Sequence, residues 1–110
     1  MTAELPAHLG ARVDQAFARY LAAYNAAWST PLETPDDFDK LYSRQEAAER
    51  ELIQSLATIW QEWTHRSPRS RVPDKESPYG ETYPFAKWVA TCSQSTQTYY
   101  RLHRVASAEY

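Results

Sequence analysis

Between Phe38 and Trp63 the apolar residues Phe38, Leu41, Tyr42, Ala48, Leu52, Leu56, Ile59, Trp60 and Trp63 return to one face of an α-helix. No β-strand can sustain that pattern over such a length, so the run commits the middle of the chain to one long helix. Its start is written in Thr34-Pro35-Asp36-Asp37. Threonine suits the N-cap, proline the first helical position, and the two acids the positive end of the helix dipole. Asp36–Lys40 and Glu46–Arg50 are favourable i,i+4 pairs on the polar side. Ser67-Pro68 supplies a stop. The helix is predicted over about 35–65.

Two flanking segments read the same way. Around Pro6, the residues Leu5, Leu9, Val13, Phe17, Tyr20, Leu21, Tyr24 and Trp28 step by three and four, which predicts a helix over about 6–28. Pro84 opens a third stripe of Phe85, Trp88, Val89, Cys92, Tyr99 and Ala106, predicting a helix over about 84–107. Its middle, SQSTQT, has poor helix propensity, so packing would have to hold it. The chain has only two glycines, Gly10 and Gly80, too few for the tight turns of a small β-barrel or sandwich. The expected fold is therefore all-α. It is one domain spanning 1–110, an antiparallel three-helix bundle with a long ordered loop, 66–83, between the second and third helices.

Two polar residues interrupt the apolar stripe of the second helix, Gln45 and Glu49. Aligning the second and third helices antiparallel sets Trp60 against Trp88. Continuing that register brings Glu49 near Tyr99 and Gln45 near His103, with Tyr20 at the same level. These five form an expected buried polar layer, because a buried carboxylate must find partners. Its structural role is to fix helix register. Glu49 with His103 is also the one pairing suited to acid–base chemistry, in a small helical enzyme.

Other chemistry is sparsely written. The chain has no phosphate-binding glycine loop, no HExxH, no GxSxG and no CxxC. Glu62 and His65 have the spacing of half a di-iron site but occur once, at a helix end, where a histidine serves the dipole. Cys92, the only cysteine, lies on an apolar face and reads as structural. No catalytic residue, metal or cofactor is expected. The single cysteine excludes an internal disulfide. With no basic and apolar leader and no apolar run of about 20 residues, the expectation is a cytoplasmic protein off the membrane.

Charge is uneven along the chain. Residues 31–65 carry eight acids and three bases, whereas 66–84 carry three acids and four bases. Asp36, Asp37, Asp39 and Glu46 form an acidic face on the second helix. The loop offers Arg69, Arg71, Lys75, Tyr79 and Tyr83, residue types that anchor protein interfaces. The interleaved acids Asp74, Glu76 and Glu81 weaken any phosphate-binding footprint, so direct nucleic-acid contact by the 66–84 loop and the C-terminal Arg101 and Arg104 is the second choice. The fifteen aromatics exceed what a small helical core needs. The expected function is a non-catalytic protein–protein interaction module, an inhibitor or adaptor. Its partner is another protein, including the components of nucleic-acid-handling complexes, or a second copy of the chain. Size, helicity and acidity match, by analogy alone, the small inhibitors that phages and mobile elements direct against host nucleases, anti-CRISPR proteins among them.

Overall fold

The structure, a computed structural model, describes residues 5–69, 84–93 and 95–110. Among them are four helices and no strand: α1 Ala7–Trp28, α2 Pro35–Thr64, α3 Pro84–Thr91 and α4 Thr96–Glu109. The all-helical class follows from the periodicities. The expected third helix does not form as one piece.

The break lies in the hydroxyl-rich segment. Thr91 Oγ1 donates to the Trp88 carbonyl at 2.7 Å, and Ser93 Oγ donates to that of Ala90 at 3.1 Å. The Cys92 N–H is shared between the carbonyls of Trp88 and Val89, and Ser93 N–H reaches only to Ala90. The last turn of α3 thus tightens and stops. Ser95 then caps a new helix, its Oγ accepting the Thr98 N–H at 3.2 Å. Side chains that compete for backbone groups have won over continuation of the ladder. The single helix expected over 84–107 is corrected to two helices joined by a corner.

The α2 helix begins where its capping residues place it. The Asp37 carboxylate accepts the backbone N–H groups of Glu33 and Thr34, both at 2.9 Å. At the far end His65 takes a left-handed conformation, φ 55°, and its N–H bonds the Gln61 carbonyl at 2.8 Å. Thirty residues make a rod about 45 Å long.

The α1 and α2 helices are antiparallel, as their cross-links show: Arg12 pairs with Glu62, Arg19 with Glu51, and Trp28 bonds Gln45. The α3 and α4 helices fold back on each other, bringing Phe85 and Tyr110 to a centroid distance of 5.3 Å. This second hairpin rests on the C-terminal half of α2. The core lies there: Leu9 and Val13 of α1, Ile53, Leu56 and Ile59 of α2, Phe85 and Val89 of α3, and Leu102 and Ala106 of α4. Trp60 meets Trp88 at 5.5 Å, the juxtaposition that antiparallel register predicts. The N-terminal third of α2 lies against α1, and α4 comes near it at the recess that Tyr42 shares with Arg104, Val105 and Ala108.

Candidate functional site

That end carries a file of rings. Tyr20, Tyr24 and Trp28 follow one another on α1 at i,i+4 spacing, with centroids 6.2 and 6.4 Å apart. The file crosses the interhelix turn from Trp28 to Phe38, edge-on at 5.8 Å, and continues to Tyr42, stacked at 6.3 Å. Tyr20 is buried, but the far end is open: Phe38 is 50% exposed, Tyr42 43%, and the nearby turn residue Leu32 55%. The expected membership of Phe38 and Tyr42 in the helical stripe holds. No helix among the described residues covers them.

Charged residues of both signs surround this patch. Glu33, Asp36, Asp39 and Lys40 are exposed, Glu46 is half-buried one turn beyond Tyr42, and Tyr42 shares a recess with Arg50 and Arg104. Asp37 belongs to the same acidic face but its carboxylate serves the helix cap. Hydrogen bonds from the backbone of Glu33 and Thr34, with a smaller contribution from Lys40, hold its pKa below the usual carboxylate value.

Beneath the patch a hydrogen-bonded chain links three helices. Trp28 Nε1–H donates to Gln45 Oε1 at 2.9 Å, and Gln45 Nε2–H donates to Glu49 Oε1 at 3.1 Å. Glu49 pairs with the Arg101 guanidinium of α4. Gln45 and Glu49 are buried, as is Tyr20, whose hydroxyl is pushed up in pKa by burial and pulled partly back by the Arg101 charge. Of the five residues expected in the polar layer, Gln45 and Glu49 are hydrogen-bonded to each other and Tyr20 is buried near Arg101, while Trp28 and Arg101 complete the chain as members that sequence reasoning missed. Glu49 finds its cation at Arg101 rather than a partner at Tyr99. The break between α3 and α4 shifts the inner face of α4, so that Leu102 joins Ala106 in the core and Arg101 comes to α2. A continuous helix does not give that face. The signal available was chemical: a carboxylate buried mid-stripe calls for a cation.

Tyr99 is half-buried and packs edge-on against Tyr100 at 5.2 Å. His103 shares a 3.2 Å hydrogen bond with Ser107 through Nδ1, and burial lowers its pKa. Cys92 is half-buried beside the core, and burial raises its pKa to about 11, which keeps it a thiol. Glu62 of the ExxH pair is engaged by Arg12. Among the described residues no three His, Cys, Asp or Glu side chains come together as a metal site, and no helix is long and apolar enough to cross a membrane. Of the loop residues singled out from sequence, Arg69 is exposed. Arg71, Lys75, Tyr79 and Tyr83, with most of the expected 66–83 loop, lie outside the described residues.

No protein-family model, curated protein or solved structure matches this chain.

Proposed function

We propose that this protein is a non-catalytic protein-binding module whose docking face is the aromatic end of the α1–α2 hairpin. The observation that carries the reading is the exposure of Leu32, Phe38 and Tyr42 together on one end, inside a charged rim. Apolar rings ringed by charge are the composition of a protein interface, where an aromatic anchor fills a partner pocket and the rim excludes water. The rings are also held in place: Phe38 stacks on Tyr42 and abuts Trp28, whose indole N–H is fixed by Gln45. Rigid aromatics lose little conformational entropy on binding.

The rim sets the partner's chemistry. Glu33, Asp36 and Asp39 favour a basic surface with an apolar pocket, such as the groove of a nucleic-acid-handling protein. Two copies meeting through this end would oppose like charges, so a different protein fits better than self-association. An inhibitor or adaptor of that kind would work in the cytoplasm. The basic run at 66–75, beginning with exposed Arg66 and Arg69, would serve as a second contact surface.

The test is affinity capture from the host with the wild-type chain and with the double variant Phe38→Ala/Tyr42→Ala. A stoichiometric protein is expected with the wild type and lost with the variant, whose melting temperature stays close to the parent's. A fall in affinity of at least about tenfold is the scale expected when two interface rings are removed. Equal capture by both chains, or capture of nucleic acid alone, would overturn the proposal.

A further inference from the structure

The hydrogen-bonded chain beneath the aromatic end has a direction. An indole N–H can only donate, and an ionised carboxylate can only accept. Gln45 stands between the two, so one setting of its amide serves both neighbours: Oε1 toward Trp28 and Nε2 toward Glu49. The two ends of a side-chain amide are close to the same size, so shape alone does not choose between its settings. The Glu49 carboxylate chooses. It is buried, and a buried carboxylate needs a cation, which Arg101 of α4 supplies. The chain therefore begins on α4 and ends at Trp28, whose ring stands edge-on to Phe38.

We infer that Glu49 and Arg101 are positioning residues for the docking face: through this ion pair α4 fixes the Gln45 amide and so holds Trp28 against Phe38. Their role rests on the reading of the aromatic end as a docking face. The fold leaves α4 few other ways to act on Trp28. The α1 and α4 backbones do not approach each other among the described residues. Tyr20 of α1 senses the Arg101 charge, but it reaches Trp28 only through Tyr24, across ring contacts of 6.2 and 6.4 Å. Such contacts constrain a ring loosely, whereas a hydrogen bond weakens steeply as its angle opens. Donation to a charged acceptor also polarises the amide and strengthens its carbonyl toward the indole. Without the pair the amide is free to turn, and Phe38 abuts a ring that is no longer fixed. Docking would then weaken with no docking ring removed, because the face has lost its preorganisation.

The test reads Trp28 in the free chain. With isotope-labelled tryptophan the chain gives four indole N–H signals, and Trp28→Phe assigns the one from Trp28. The main variant is Glu49→Leu/Arg101→Met. Apolar side chains of similar size often replace a buried ion pair at no cost in stability, so its melting temperature should stay near the parent's. Hydrogen exchange at the Trp28 indole should nevertheless rise roughly fivefold, the scale of one hydrogen bond. The indoles of Trp60, Trp63 and Trp88 should not change. Arg101→Lys keeps the cation and should keep most of the protection. Gln45→Leu spares the ion pair and should release Trp28 as fully as the double variant does. The protein captured by the wild-type chain should bind the double variant at least about threefold more weakly. Unchanged exchange at Trp28 in the double variant or in Gln45→Leu, equal acceleration at all four indoles, or full partner affinity in the double variant would each overturn the inference. A captured partner indifferent to Phe38→Ala/Tyr42→Ala would sink the docking reading instead, while the Trp28 exchange still decides whether the ion pair positions that ring.

Discussion

Rings cluster near both ends of the α1–α2 hairpin, and the two clusters do different things. At one end Trp60 lies within about 6 Å of Trp63, Phe85 and Trp88, with Phe85 only 1% exposed. At the other, Trp28, Phe38 and Tyr42 stack with similar spacings, yet Phe38 stays half exposed. The difference is the second hairpin. The α3–α4 pair covers the first cluster and turns it into core, but at the second α4 reaches only the recess beside Tyr42 and leaves Phe38 and Tyr42 half exposed. Helical periodicity marks a face as apolar, but burial is decided by what lies across from it.

Substitutions can break that comparison. The largest expected effect is at the covered end. Leu56 is fully buried, and Leu56→Ala should cost about 2–5 kcal/mol by chemical denaturation. Phe38→Ala, at the open end, should cost less than about 1 kcal/mol, since half of the ring is already in water. Comparable losses at the two sites would mean that the open end is covered.

Next in size is the polar chain that joins the two regions. Glu49→Ala strands Arg101 and leaves the Gln45 amide without an acceptor. We expect a loss of about 1–3 kcal/mol, below the figure for a fully dry ion pair because Arg101 keeps partial access to water. An unchanged midpoint would show that Glu49 does not hold α4 to α2.

A gain is expected at the end of α2. His65 is the non-glycine residue that adopts positive φ among those described. His65→Gly should stabilise the fold by roughly 0.5–1 kcal/mol, because glycine adopts that conformation without the side-chain clash. A loss would mean that the imidazole makes contacts worth more than the strain.

The smallest effect sharpens the open end. Asp37 has a folded-state pKa below its ordinary value, so it adds stability above that ordinary value and loses it as pH falls through the folded one. Asp37→Ala should lower the melting temperature at neutral pH more than Asp36→Ala. The gap between them should close in acid, once the wild-type carboxylate is protonated. A gap that persists in acid would assign the effect of Asp37 to something other than its charge.

Much of this was legible before the structure. Caps and stops wrote the limits of α1 and α2 almost to the residue, because Thr34-Pro35 and Ser67-Pro68 act locally. Glu49 was readable as buried because it interrupts an apolar stripe. The break between α3 and α4 was not readable as such: the weak propensity of that stretch was visible, but whether packing or local hydroxyl bonds would win depends on tertiary contacts. That one unresolved competition set the phase of everything after it, and so hid Arg101 and Leu102. The exposure of Phe38 and Tyr42 was hidden for the same reason. It depends on how far a hairpin elsewhere in the chain reaches.

The most direct test of the open end as a docking face is hydrogen exchange along the chain, free and bound to the captured partner. Slower exchange on binding is expected in the 29–44 stretch, which holds the interhelix turn and the start of α2, with little change across Ile53–Trp60 and α3. Protection confined to α3 and α4, with 29–44 unchanged, would contradict the account.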